Sequence, residues 1–164
     1  MSHYVIVAAE ERHYPSLHQA MDAVAREKRF LSATQAPPFE QSAAFYRGLA
    51  ADRMPHLVVL DGGRVVGWAD VSSVFGESKA HIGVLGMALL PEVRRQGVGS
   101  QLLGKTIHAA WGRGLTRIEL TVRDDNLHAR KLYERLGFEH EGVLRRASLV
   151  DGQYHDMHAM ALLR

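Results

Sequence analysis

The chain has no cysteine. Disulfides, thiolate metal sites and cysteine nucleophiles are therefore excluded, and the absence fits a reducing compartment. Proline is scarce, five in 164 residues, and aromatics make up only 7%. No apolar run approaches the ~20 residues a membrane helix needs; the longest, GVLGMALL, is far shorter. The opening MSHYVIVAAEERHYP lacks the basic start, long apolar middle and cleavage site of a secretory signal. Neither sign of charge dominates: 20 Lys and Arg stand against 18 Asp and Glu, a formal +2. That mild excess, without an aromatic stacking motif, argues against a nucleic-acid partner. The expectation is a cytoplasmic protein with no membrane and no nucleic-acid partner.

What is present is enough for one core. With 46% hydrophobic and 23% charged residues, the chain is expected to form a single domain over residues 1–164. HYVIVAA is a short strand. SLHQAMDAVAREKRFL follows with Leu17, Met21, Val24 and Ala25 at helical spacing. TQAPPFE interrupts, and FEQSAAFYRGLAADRM makes a second helix that Pro55 ends. Two strands then flank Asp61-Gly62-Gly63, a hairpin signal. AHIGVLGMALLP is a further strand whose Gly83 and Gly86 suggest a bulge or a close backbone approach. GVGSQLLGKTIHAAW is helical, RIELTVR alternates like a strand, LHARKLYERL is a helix capped by Asn126, and a hairpin around Asp151-Gly152 closes the chain. The order is strand, two helices, three strands, helix, strand, helix, two strands. The expected fold is mixed α/β (α+β), with about four helices flanking a central, mostly antiparallel sheet of about seven strands.

One junction carries chemistry. RRQGVG, Arg94 to Gly99, stands between a strand and a helix start. The first N–H groups of a helix lack intrahelical partners, and they lie at the positive end of its dipole, so they bind anions. Gly97 and Gly99 place no side chain in a phosphate's way, and Arg94 and Arg95 add positive charge. The stretch is not a Walker loop, which needs G-K-[ST], nor a dinucleotide fingerprint, whose third glycine position here holds Leu102. A tight turn alone would also explain two glycines.

The run L-G-M-A-L-L-P-E-V-R-R-Q-G-V-G-S-Q-L-L resembles the acetyl-CoA motif of the GNAT N-acetyltransferases, [QR]-x-x-G-x-[GA], with Arg94, Gly97 and Gly99 in its places. A second block of that family is similar to N-L-H-A-R-K-L-Y-E-R-L-G-F, Asn126 to Phe138. The resemblance implies acetyl-CoA as co-substrate and no metal. It implies cofactor contacts from Met87, Ala88 and Leu89 on the strand, and from Arg94, Arg95, Gln96, Gly97, Val98, Gly99 and Ser100 at the loop and helix start. Asn126, Ala129 and Tyr133 would complete the cofactor site. Tyr133 would be the acid that protonates the departing thiolate. Without the resemblance, Tyr133 reads as a core tyrosine, because Ala129, Leu132, Tyr133 and Leu136 share one helix face.

A base is also needed, because an amine of pKa ~10 is protonated at neutral pH. The places where many relatives hold a glutamate carry Val84 and Thr121 here. Glu119, His81 or a water chain are the candidates left. His155-Asp156-x-His158 could suggest a metal, but on a strand the two histidines face opposite ways. Arg145-Arg146 reads as a solvated pair. The C-terminal stretch resembles those of bacterial L-amino-acid N-acetyltransferases and phosphinothricin acetyltransferases. That implies a small-molecule amine as acceptor, and the family implies a possible homodimer; the absence of cysteine excludes an acetyl-cysteine intermediate, so direct transfer is expected. Glu27, Arg29, Phe30, Phe75, Tyr154 and Asp156 are expected around the acceptor. The competing functions are acetylation of a protein N-terminus or lysine, and a non-catalytic CoA-binding module.

Overall fold

The computed structural model describes residues 3–164. Among them the element order is β1 (Tyr4–Ala8), α1 (Tyr14–Ala25), α2 (Phe39–Ala51), β2 (His56–Asp61), β3 (Arg64–Ser73), β4 (Ile82–Leu89), α3 (Val98–Gly112), β5 (Arg117–Arg123), α4 (Leu127–Arg135), β6 (Glu139–Val150) and β7 (Gln153–Leu163). This is the order expected from the sequence. The seven strands form one sheet in the order β1-β2-β3-β4-β5-β7-β6. Every neighbouring pair is antiparallel except β4 and β5. No helix among the described residues is long and apolar enough to cross a membrane.

Local chemistry accounts for the elements. Gly62 and Gly63 take φ of +56° and +86° in the β2–β3 turn, and Asp151 and Gly152 take +48° and +78° in the β6–β7 turn. Left-handed values at both central residues match the twist of the strands they join. Gly83 answers to close packing: a Cβ there would stand 2.3 Å from Val71 Cγ1. No register shift occurs in β4; the shifts lie at Val59/Leu60 and in β6 at His140/Gly142 and Leu144/Ser148.

The first helix is shorter than its apolar spacing suggests. It starts at Tyr14, accepting Pro15 in its first turn. It ends at Ala25, where Lys28 takes φ +58° and its N–H donates to the Ala25 carbonyl (3.0 Å). The following segment then runs outward instead of continuing as helix. It is pinned at its far end, where Asp22 Oδ1 accepts the Ala36 N–H (2.8 Å).

Two buried clusters fill the domain. Leu17, Val24, Val58, Val66 and Leu102 belong to one, and Val71, Leu103, Ile118, Leu132 and Met160 to the other. The alternation in β5 is as read: Ile118, Leu120 and Val122 are buried, while Thr121 is exposed.

Candidate active site

The sheet opens at its only parallel pair. β4 and β5 are in register over just three residues, Ile82–Val84 against Arg117–Glu119. Beyond Val84, β4 stays paired to β3 as far as Leu89, and β5 stays paired to β7 as far as Arg123. Each wing is held by its outer neighbour, so the inner edges part. The result is a cleft of about 800 Å³ with β4, β5, the start of α3 and α4 in its walls.

Ladder alternation decides which backbone groups face the gap. The Leu90 N–H donates to the Val66 carbonyl (2.9 Å). In an antiparallel ladder, hydrogen-bonded and non-bonded pairs alternate. Ala88 and Gly86 therefore bond to β3, whereas Leu85, Met87 and Leu89 turn their N–H and C=O groups to the cleft. Of the three strand residues expected to hold a ligand through backbone, Met87 has both groups and Leu89 its N–H turned to the cleft, the Leu89 carbonyl accepting Arg94 Nε (3.0 Å), and Ala88 is paired to β3.

At the cleft's end, Gly97 takes φ +81° and caps α3 with no side-chain hydrogen bond. The first bond of that helix runs from the Gln101 N–H to the Gly97 carbonyl (3.3 Å). The N–H groups of Val98, Gly99 and Ser100 thus have no intrahelical partner, as an anion site requires. No atom lies within 4 Å of where a Gly97 Cβ would be, and a Gly99 Cβ would only touch Leu132 and Leu89. The glycines leave this end open. Five arginines stand on the cleft wall, Arg29, Arg94, Arg95, Arg123 and Arg135, and no carboxylate does. Such a wall draws in a polyanion.

Most residues expected at the site are brought together: Met87, Ala88, Leu89, Arg94, Arg95, Gly97, Gly99, Ser100, Asn126, Ala129 and Tyr133 all line the cleft. Val98 does not line the cleft: its side chain is buried. Gln96 is turned back, donating to the Glu92 carbonyl (2.8 Å). Asn126 caps α4, its Oδ1 accepting the Ala129 N–H (3.2 Å). Tyr133 packs on Phe138 (5.6 Å between centroids), and burial pushes its phenol up to about 12. At neutral pH it is therefore a hydrogen-bond donor.

Arg94 differs from the expected free rim charge. Glu27 grips it with both oxygens (2.9 and 2.6 Å), its Nε donates to the Leu89 carbonyl (3.0 Å), and it lies 4.5 Å over the Phe30 ring. Glu27 thus anchors Arg94 and does not line the cleft. Arg29 and Phe30 do line it. Phe75 is fully exposed and Tyr154 lies under the Arg146 guanidinium (3.8 Å). Asp156 accepts the Arg146 N–H (2.8 Å). None of these last three reaches the cleft wall.

Neither candidate base reaches it either. Glu119 accepts from Arg117 Nε (2.9 Å), and His81 is exposed at the foot of β4. The closing histidines have other partners: His158 contacts Arg130 (2.9 Å) and His140 (2.7 Å), and His155 lies 3.7 Å from Asp124. A carboxyl group that the sequence reading passed over lies beside β4. Asp70 on β3 is the register partner of Gly86, and burial pushes it up to about 7. One acid inside the alternating run RVVGWADVSS was the signal available.

A cleft between splayed parallel strands, with an uncapped glycine-led helix at one end and a buried tyrosine in its wall, is the arrangement of an acyl-CoA-binding transferase. Residues 18–138 match the model of the acetyltransferase (GNAT) family. The chain belongs to that family, whose enzymes take acetyl-CoA as co-substrate. It is 32% identical to the L-amino acid N-acetyltransferase AaaT of Escherichia coli (strain K12), over the whole length of both chains. Its fold superposes with a TM-score of 0.92 on the GNAT acetyltransferase of Streptococcus pneumoniae, at 27% identity, covering 99% of this chain and 100% of that one. The phosphinothricin acetyltransferase of Sinorhizobium meliloti, solved with acetyl-CoA, shares the fold with a TM-score of 0.91 at 19% identity, covering 99% and 89%.

Proposed function

We propose that the enzyme moves the acetyl group of acetyl-CoA directly to the primary amine of a small molecule, an amino acid or an amino-acid analogue. The observation that carries this reading is a tie between the segment after α1 and the closing hairpin. Lys28 pairs with Asp151 (3.0 Å) in the β6–β7 turn, and Arg123 Nη1 donates to the Lys28 carbonyl (3.0 Å). The segment after α1 and the closing hairpin are thereby joined across β5. That suits a compact acceptor better than an extended peptide. The full-length similarity to an L-amino acid N-acetyltransferase supports the same reading.

The roles follow from chemistry. The free N–H groups at the start of α3, with Arg95 and Arg135, would hold the phosphates of acetyl-CoA. Backbone groups of Met87 and Leu89 would align the pantetheine arm and polarise the thioester carbonyl. Tyr133 would donate to the leaving sulfur. With no cysteine, no acetyl-cysteine can form, which favours direct attack. We further infer a cytoplasmic enzyme that pairs as a homodimer.

The test is release of free CoA thiol from acetyl-CoA across the twenty amino acids, phosphinothricin, polyamines, aminoglycosides and short peptides. The protein has no thiol of its own, so a thiol reagent reads product alone. Turnover of free amino acids or phosphinothricin bears the proposal out. Turnover of peptides only moves the acceptor to a protein, and acetyl-CoA binding without turnover points to a non-catalytic module.

A further inference from the structure

We infer that Asp70 is the base that takes the proton from the acceptor's ammonium group, across the bare Cα of Gly86. The inference rests on the amine-acetylation reading above and supplies the base that Glu119 and His81 do not.

Asp70 stands in the middle of a cross-strand row. It pairs with His56 on β2 and with Gly86 on β4. Side chains of antiparallel partners lie on the same face, so the Asp70 carboxylate leans over Gly86. A Cβ on Gly86 would stand 3.6 and 3.7 Å from the two Asp70 oxygens. Gly86 is exposed and lines the cleft just above the point where β4 and β5 part. Any larger residue at 86 would come between the carboxylate and the cleft. Asp70 is not itself in the cleft wall; Gly86, with no side chain, is what separates its carboxylate from the cleft.

The surroundings hold the carboxylate without neutralising it. Among the described residues no hydrogen bond or ion pair reaches it. His56 faces it from β2, and burial drops that imidazole to about 4, so it is uncharged at neutral pH. Its Nε2 is buried and has no hydrogen-bond partner. Tyr46 faces it from α2, raised to about 12 by burial, with Tyr14 of α1 stacked behind at 5.1 Å. On β4 its register partner is Gly86, which carries no charge. An unpaired carboxyl among neutral groups is costly to keep in a core. Beside a reaction cleft it is a base whose proton affinity suits neutral pH.

The proton balance closes. The ammonium gives one proton to the Asp70 carboxylate and becomes a neutral amine. Its lone pair attacks the thioester carbonyl carbon, the C–N bond forms, and the C–S bond breaks with its electron pair leaving on sulfur. Tyr133 passes its hydroxyl proton to sulfur and recovers one from the nitrogen, giving the amide and the thiol. Asp70 then releases its proton to solvent. One proton is freed per turnover, and Tyr133 never persists as the phenolate.

The test compares kcat/KM against pH for the wild type, Asp70→Asn, Asp70→Glu and Gly86→Ala, with the amino acid that the panel shows to be turned over fastest. The wild type should gain activity through a limb centred near pH 7. Asp70→Asn should lose that limb and fall about 100-fold or more at pH 7, with the KM for acetyl-CoA unchanged. The deficit should shrink toward pH 10, where the amine is already neutral, and Asp70→Glu should restore part of the rate. Gly86→Ala makes only ordinary contacts, so it should fold and lower kcat more than it raises KM. An intact limb in Asp70→Asn, or an equal loss at every pH, overturns the inference. The carboxyl carbon resonance of Asp70, followed against pH, separates this failure from failure of the amine reading. A midpoint near 7 supports the base, and an ordinary aspartate midpoint overturns it whether or not any amine is acetylated.

Discussion

Arg94 and Glu27, 67 residues apart in sequence, form a two-pronged ion pair at 2.9 and 2.6 Å. The pair joins the phosphate-loop entrance to the segment after α1. On the function proposed above, one arginine thereby ties the cofactor end of the cleft to the acceptor end. Bidentate pairing of this kind is stronger and more directional than a lysine contact. Arg94→Lys should cost about 1–2 kcal/mol of stability, read from urea denaturation, and should raise the KM for acceptor as well as for acetyl-CoA. A change confined to acetyl-CoA would show that the link does not reach the acceptor wall.

Tyr133 is buried against Phe138, with only its hydroxyl to distinguish it from a core phenylalanine. Tyr133→Phe keeps the packing and removes the donor. Turnover should fall by about 10²-fold or more, while acetyl-CoA affinity measured by calorimetry stays within a factor of a few. Unaltered turnover would remove Tyr133 from the chemistry.

Gly97→Asp should weaken CoA binding by at least about tenfold, or 1.4 kcal/mol. It sets a negative charge at the helix start proposed to receive phosphate and forces a side chain into φ +81°. Titration with CoA alone reads this without any acceptor. Undiminished binding would mean that the phosphates lie elsewhere.

Two neighbouring groups should give opposite pH slopes in stability. Asp70 is raised to about 7, so the folded state holds its proton more tightly than the unfolded state. Its stabilisation is present below about pH 4 and is lost as pH rises through 7. His56 is lowered to about 4, so stability is lost as pH falls from about 6.5 toward 4. In the wild type the two trends offset across that window. Asp70→Asn should expose the His56 trend, making the protein more stable at pH 8 than the wild type by about 1–4 kcal/mol, with the gain shrinking toward pH 4. Thermal denaturation at a series of pH values checks the sign, and a pH-independent difference would contradict it.

Much of this was legible along the chain. The strands betray themselves by alternation, as in RIELTVR, and the turns by Asp-Gly pairs, because both signals act over a few residues. The Arg94–Gly99 stretch was readable as an anion site for the same reason: helix N–H groups, a left-handed glycine and charge are all local. The first helix ends sooner than its residue types suggest, because Arg26 to Leu31 keep plausible helical residues past the point where Lys28 turns left-handed. Nothing in that stretch announces that its Glu27 and Phe30 meet Arg94.

The sequence by itself determined the element order, the hairpin turns, the glycine-led helix start and the family. All of these depend on contacts within a short span. Tertiary structure decided where the sheet opens, that the backbone of Met87 faces the gap while that of Ala88 pairs with β3, that Arg94 is held by Glu27, and that Asp70 leans over Gly86. Those facts are set by strand order and register, which bring together residues tens of positions apart. Gly86 and Asp70 each stand out locally, as a glycine and an acid within apolar strands, but they form one feature only because β3 and β4 pair in the register that sets them opposite each other.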